Sequence, residues 1–178
     1  MDVSDGYSTH VLILQDIIKN YPIQNAIEFG MGYYSTPIFI DNGCKLTSIE
    51  MHQREFFLQT SAKHSGKADF HLMLGEDLAV DYLKTTSEWD MVFVDGHEKS
   101  RDRVINEAFK HTQMIMCHDS EAKIYNWGNV VLPLGWRWYD ITQHTPWTAV
   151  ITCWDIRQTL KRFPYKRTIK MAEKEYLY

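Results

Sequence analysis

The stretch AIEFGMGYYST, residues 26–36, decides the fold. A short apolar run carrying one acid, Glu28, leads into Gly30, Met31 and Gly32, and Ser35, Thr36 and Pro37 follow. An apolar run, a glycine pair and then hydroxyls before a proline form the strand–turn–helix opening of a βαβ unit. The glycines let the backbone come close to a ligand, Ser35 or Thr36 caps the helix, and Pro37 opens it because its missing N–H is not needed there. A pyrophosphate-binding loop has a third glycine that lets helix and strand pack closely; here Ser35 stands in its place.

Around this unit, apolar runs alternate with amphipathic stretches. Val11, Leu12, Leu14, Gln15 and Ile18 lie at near-helical spacing, which predicts a helix over 8–20 that Pro22 ends. Strands are predicted at 25–29, 45–50, 69–74, 90–95 and 113–119, with helices at 53–64, 77–85 and 100–111 between them. The run at 90–95 is continuously apolar and ends in acid, as in a parallel strand buried on both faces. The runs at 135–142 and 146–154, separated by a short polar loop, read as an antiparallel hairpin. The expected fold is α/β: a doubly wound, mostly parallel, Rossmann-like sheet ending in that hairpin. The expected division is an N-terminal helix at 1–22, a main domain at 23–156 and a basic C-terminal tail at 157–178.

The chain has 178 residues and a formal net charge of −4, so nothing in the overall balance indicates a nucleic-acid or membrane partner. No basic-then-apolar leader stands at Met1, and no apolar run is long enough to cross a bilayer. Cys44, Cys117 and Cys153 are odd in number, far apart and set in apolar runs. They read as reduced thiols of a cytoplasmic protein rather than as disulfides or a zinc site.

In an open parallel sheet, ligands sit beyond the carboxyl ends of the strands. Those ends read Gly30–Met31–Gly32, Glu50, Gly75–Glu76–Asp77, Asp95–Gly96–His97 and His118–Asp119–Ser120. Glu50 stands where an acid accepts hydrogen bonds from the ribose hydroxyls of an adenosine ligand; the plainer reading is a solvated acid ending a strand. A ligand without phosphates would not require the missing glycine. S-adenosylmethionine is such a ligand: its ammonium group has Glu28 to meet, directly or through water, and its carboxylate has the loop N–H groups. The plainer reading of Glu28, a strand acid turned to solvent, fits poorly with its apolar flanks.

At this point IEFGMGYYST, LTSIEMHQ, LMLGEDL, MVFVDGHEKSR and MIMCHDS together resemble the successive motifs of class I S-adenosylmethionine-dependent methyltransferases. Within that superfamily the pattern is most similar to small-molecule O-methyltransferases, over roughly residues 25–154. The resemblance implies a cofactor site on Glu28, Gly30, Met31, Gly32, Ser35, Glu50 as ribose acid, Met51 beside the adenine, Glu76 or Asp77 near the adenine, and Asp95. It also implies a hydroxylated small-molecule acceptor. Some relatives use a divalent cation such as magnesium to bind and acidify a diol, and Asp95 and Asp119 occupy the equivalent strand ends. The third ligand position is Ser120, a weak neutral donor, and His118 is expected to face away from Asp119 because neighbours on a strand alternate. The sequence also departs from the pattern: His111–Thr112 replaces a Gly-Gly turn, and about one helix precedes the first strand, which leaves the acceptor side open or completed by another subunit.

Methyl transfer needs alignment of the nucleophile and often removal of a proton. Asp95 and His97 are the candidates for the second task, His97 as a base of suitable ordinary pKa; otherwise His97 caps the following helix. Trp136, Trp138, Trp147 and Trp154 are expected in core or subunit packing, with a substrate-stacking wall as the lesser alternative. A homodimer covering the Trp136–Trp138 strand or the first helix is expected. The basic run Arg157, Lys161, Arg162, Lys166, Arg167 and Lys170 reads as a solvated face, or as a hold for an anionic substrate. Two rival readings are an NAD-dependent oxidoreductase and an inactive methyltransferase-like binding module.

Overall fold

The central strands divide their side chains between two cores. In β1 (Asn25–Phe29), Ala26 belongs to one core, Ile27 and Phe29 to the other; in β4 (Met91–Val94), Met91 and Phe93 oppose Val92 and Val94. A strand buried on both faces is largely apolar, so β4 reads as a continuous run rather than an alternating one, while β1 carries one buried acid, Glu28. The computed structural model describes residues 6–75 and 77–168.

The remaining strands are β2 (Lys45–Glu50), β3 (Asp69–Leu72), β5 (Met114–His118), β6 (Arg137–Ile141), β7 (Thr148–Thr152) and β8 (Tyr165–Thr168). They form one 8-stranded sheet in the order β3-β2-β1-β4-β5-β7-β6-β8. The strands β3, β2, β1, β4 and β5 run parallel. The strand β7 is antiparallel to both β5 and β6, so it lies reversed between two strands of like direction. The expected hairpin is therefore present with its second strand inserted inward, against β5. The sheet also goes on past 156: α6 (Arg157–Leu160) and then β8, antiparallel to β6, continue it into the stretch expected to be a basic tail. Of the positive side chains there, Lys166 and Arg167 lie on this edge strand, where charge discourages pairing with another chain. Lys170 lies outside the described residues.

One face is covered by α1 (Val11–Asn20) and α2 (Ser35–Asp41), the other by α4 (Leu78–Lys84) and α5 (Arg101–Ala108); α3 (Arg54–Lys63) follows β2. The buried stripe of α1 is Val11, Ile13, Leu14, Ile17 and Ile18. Each such side chain contributes roughly 1.5–3 kcal/mol through burial, so truncating Leu14 or Ile17 would loosen this layer first. At its other end, α2 differs from expectation. It starts at Ser35 with Tyr34 at the cap, and neither Ser35 nor Thr36 caps it, because both hydroxyls turn inward to Glu28.

Trp138 is fully buried, and Trp136, also buried, packs edge-on against Phe109. The strand invoked for a dimer contact thus has its indole rings covered within its own chain. No described helix is long and apolar enough to cross a membrane.

Candidate active site

The carboxyl ends of β1, β2, β4 and β5 open into a cavity of about 550 Å³, also lined by residues from the N-terminal segment and the loop before β7. Gly30 sets its floor. With φ of +91°, and with an added Cβ only 2.4 Å from the Asp95 carbonyl carbon and oxygen, this position admits only glycine. The Gly30 N–H donates to Ile49 O (2.8 Å) and the Asp95 N–H to Phe29 O (2.7 Å), so the loops after β1, β2 and β4 are drawn together at one point.

Glu50 ends β2, is 4 % exposed and lines the cavity. Its Oε1 accepts the N–H groups of His52 (2.7 Å) and Gln53 (2.9 Å), while Oε2 accepts none from a described residue. The ring of Tyr33, packed edge-on against Phe56 at 4.6 Å, and that of His52 line the same half. An acid with an uncommitted oxygen beside flat rings suits a nucleoside: the oxygen takes ribose hydroxyls and the rings cover a base.

Glu28 is placed differently. It is fully buried and does not line the cavity; Ser35, Thr36 (2.6 Å) and Ser48 (2.6 Å) all donate hydroxyls to its carboxylate. Thr36 Oγ1 in turn accepts the Gly32 N–H at 3.1 Å. Burial pushes the Glu28 pKa up to about 7 against the lowering effect of the three hydroxyls. Glu28 and Ser35 therefore tie the glycine loop to α2 and β2 and reach a ligand only through that loop. Gly30, Met31, Gly32, Glu50 and Asp95 line the cavity; Met51 is buried behind it, its sulfur tight against Gly96. Asp77 lies outside the cavity lining, exposed and paired with Arg103, and Glu76 lies outside the described residues.

In the opposite half the sequence marks Asp95, His118 and Asp119 as strand ends, but not Arg101. Arg101, at the start of α5, is 5 % exposed and reaches between the ends of β4 and β5. Its Nε donates to Gly96 O (2.9 Å), Nη1 to His118 O (2.8 Å) and Asp119 Oδ2 (3.2 Å), and Nη2 to Asp95 O (3.3 Å) and Asp95 Oδ1 (3.0 Å). All its N–H groups have partners. Its face lies 4.0 Å from the centre of the Tyr125 ring, whose hydroxyl donates to Asp119 Oδ2 at 3.0 Å.

His118 completes this half. Asp119 leaves β5 with φ of +58°, and that left-handed step ends the strand alternation that would have turned the two side chains apart. His118 Nδ1 lies 3.1 Å from Asp119 Oδ1 and 3.6 Å from Asp95 Oδ1. Its Nε2 meets Thr9 Oγ1 at 2.8 Å, and that hydroxyl donates to Pro146 O at 2.8 Å. Both ring nitrogens therefore lie within reach of acceptors, an arrangement that suits a doubly protonated ring. Burial alone would lower the His118 pKa, but the bonds and charges of Asp119 and Asp95 outweigh it and raise it to about 9. The Asp119 pKa, which burial would raise, is held down at about 2 by His118 and Arg101.

Asp95, His118 and Asp119 place one ligand atom each within 4.8 Å of one another. They do not fit a divalent ion: the Arg101 guanidinium already lies against both carboxylates and the His118 ring is protonated, so two negative charges are balanced in place. Ser120 is buried with its Oγ unpartnered among the described residues.

His97 is not brought to this half. It stacks on His52 at 4.4 Å, Lys99 N–H donates to its Nδ1 at 3.2 Å, and Ser100 N–H and Oγ donate to its carbonyl. That is the arrangement of a strand-to-helix cap on the nucleoside side. The signal for the residue the sequence reading lacks, an arginine just inside α5, is in the sequence but gains meaning only when β4 and β5 lie side by side.

The sequence matches no family model, and no curated protein is similar to it in sequence. Solved structures are similar in fold. A protein assigned as an O-methyltransferase from Klebsiella pneumoniae superposes with a TM-score of 0.64 at 12% identity, over 85% of this chain and 83% of that one. A protein assigned as a caffeoyl-CoA O-methyltransferase from Staphylococcus aureus gives 0.61 at 15%, over 81% and 82%. The chain has the class I S-adenosylmethionine-dependent methyltransferase fold. The N-terminal domain of EvdMO1, solved with S-adenosylhomocysteine and D-fucose, is also similar, at a TM-score of 0.50 and 10% identity over 66% of this chain and 52% of that one. Within this methyltransferase fold the cavity lies where the parallel strands end and the sheet order reverses beside β1.

Proposed function

We propose that the chain is an S-adenosylmethionine-dependent methyltransferase that acts at oxygen on a small hydroxylated molecule. The observation that carries this is Glu50: a nearly buried carboxylate at the end of β2, with one oxygen held by backbone N–H groups and the other uncommitted in the cavity. The residues present suit the cofactor. Glu50 would hold the ribose, His52 and Tyr33 would lie along the base, and the Gly30–Gly32 loop would place backbone against the amino-acid end. Asp95 Oδ2, which accepts no hydrogen bond from a described residue, would take the ammonium group. The cofactor supplies an activated methyl group. The protein's part is to hold the acceptor oxygen in line, exclude water and receive a proton.

Calorimetry with S-adenosylhomocysteine and with NAD tests the reading. Binding of the first and not the second supports it. Binding of NAD alone gives the oxidoreductase, and binding of neither gives a module that keeps the fold without the cofactor. Turnover of S-adenosylmethionine against a panel of hydroxylated metabolites then tests the acceptor class.

A further inference from the structure

His10 stands just before α1, is 2 % exposed, and lines the same cavity at the end opposite Glu50. Its ring lies edge-on to His118 (5.0 Å between centroids) and tilted against Phe93 (5.2 Å). Neither ring nitrogen has a hydrogen-bond partner among the described residues. A buried polar atom left without a partner is costly and calls for one from elsewhere. The segment is not loosely placed: Thr9, its neighbour, is pinned between His118 Nε2 and Pro146 O.

Few atoms around His10 are still uncommitted. Arg101 and His118 have every N–H engaged, so neither cation offers a donor to a ligand. What remains, once Asp95 Oδ2 has taken the cofactor's ammonium group, is the His10 ring itself, with one acceptor nitrogen and one N–H in its neutral form. An anionic ligand could use only the His10 N–H and would lie beside the Asp95 and Asp119 carboxylates, whereas a neutral hydroxyl can donate to the acceptor nitrogen.

We propose that His10 is a catalytic residue of this site, whose ring nitrogen accepts the hydrogen bond of a neutral acceptor hydroxyl and then its proton. This rests on the methyltransferase reading. In the step, the acceptor oxygen bonds to the methyl carbon, the carbon–sulfur electrons stay on sulfur, and the hydroxyl proton passes to His10, so the cofactor's positive charge reappears on the ring. Burial, and next the nearby His118 cation, hold the His10 pKa down at about 4, with Asp95 and Asp119 opposing; the ring is thus neutral and able to accept at pH 7. A low pKa does not disqualify it, because an oxygen that has taken on a methyl group loses its proton readily.

The test uses the full chain, labelled with ¹⁵N at histidine and saturated with S-adenosylhomocysteine. Saturation is verified first, and failure at that stage rejects the methyltransferase reading rather than His10. Phenol, benzyl alcohol and benzoate are then titrated in as probes. His10 is assigned by the loss of its signals in His10→Phe, which keeps a ring against Phe93 and His118 and removes both nitrogens. The expected result is that the alcohols move the His10 nitrogen signals and bind about tenfold more tightly than benzoate, whose charge would lie beside Asp95 and Asp119. His10→Phe should keep its S-adenosylhomocysteine affinity and lose about that factor for the alcohols. Alcohols that leave the wild-type His10 signals unmoved, benzoate binding equally well, or a folded His10→Phe with undiminished alcohol affinity would each overturn the proposal. The wild-type signals decide the matter even if the variant does not fold.

Discussion

Beside the glycine loop, Glu50 uses one carboxylate oxygen on two backbone N–H groups and leaves the other in the cavity. Across the cleft, Arg101 has each of its N–H groups on Gly96, His118, Asp119 or Asp95, and His118 has both of its own engaged. One half is built from backbone and one acid, and can answer a ligand directly. The other is a cross-braced network that is complete before any ligand arrives. Its charges hold the ends of β4 and β5 together, and recognition there falls to the few atoms the network leaves out. Substitutions on the two sides should therefore fail in different ways.

The largest effect is expected at Arg101. In Arg101→Met, two partly buried carboxylates lose their shared cation, and removing one partner of a buried ionic network costs about 3–5 kcal/mol. Urea unfolding should show that loss. Arg101→Lys should recover only part of it, since an ammonium cannot span Gly96, Asp95, His118 and Asp119 together. A loss within about 1 kcal/mol, the value of an exposed ion pair, would mean that the two halves do not differ as described.

The same network should respond to pH. The His118 pKa is raised in the folded chain from 6.5 to about 9, so its contribution is full below pH 6.5 and is lost as pH rises toward 9. Over that interval folding stability should fall by about 3 kcal/mol, following the shift. Two other groups act only lower down. Glu28, raised to about 7, also removes stability as pH rises, between 4.5 and 7. His10, lowered to about 4, removes it as pH falls through the interval from 6.5 to 4. Their effects oppose each other in mildly acid solution, so the interval from pH 7 to 9 isolates His118. Chemical denaturation at several pH values in that interval checks this, and a flat profile would mean that His118 is not held as a cation.

The glycine half should respond through affinity instead. Glu50→Ala is expected to fold normally and to weaken S-adenosylhomocysteine by roughly 1.5–3 kcal/mol for each charge-assisted hydrogen bond lost. Glu28→Ala should do the reverse, lowering stability by about 1–3 kcal/mol because Ser35, Thr36 and Ser48 lose their buried acceptor. Calorimetry and thermal melting on the pair separate the two acids; equal affinity losses would place Glu28 in the ligand site after all.

These two halves were unequally legible in the sequence. The glycine half is contiguous: strand, Gly30, Gly32 and the start of α2 fall within residues 26–36, and Glu50 ends the next strand, so local patterns suffice. The other half joins Thr9, Arg101, His118, Tyr125 and Pro146 across most of the chain, and no local pattern links them. Position after a strand pointed to His97, yet the cap formed with Lys99 and Ser100 turns it onto His52. The strand β8 escaped notice for a related reason. A short, basic edge strand lacks the apolar run that marks a buried one, and pairing with β6 is what defines it.

The smallest effect is expected from metal. Magnesium takes near-octahedral oxygen ligands at about 2.0–2.1 Å and gives up its water reluctantly. To enter between Asp95 and Asp119 it would have to displace a guanidinium with all its N–H groups engaged, and would face the His118 cation across the same carboxylates. The displaced Arg101 would also leave the carbonyls of Gly96 and His118 without their donor. Millimolar magnesium should therefore leave the melting temperature unchanged, and EDTA should alter neither melting nor S-adenosylhomocysteine binding. In Arg101→Met the guanidinium no longer covers these carboxylates, and magnesium should then raise the melting temperature of the variant while leaving the wild type alone. A rise in the wild type instead would show that the arginine yields to the ion, and that the network is less complete than its hydrogen bonds indicate.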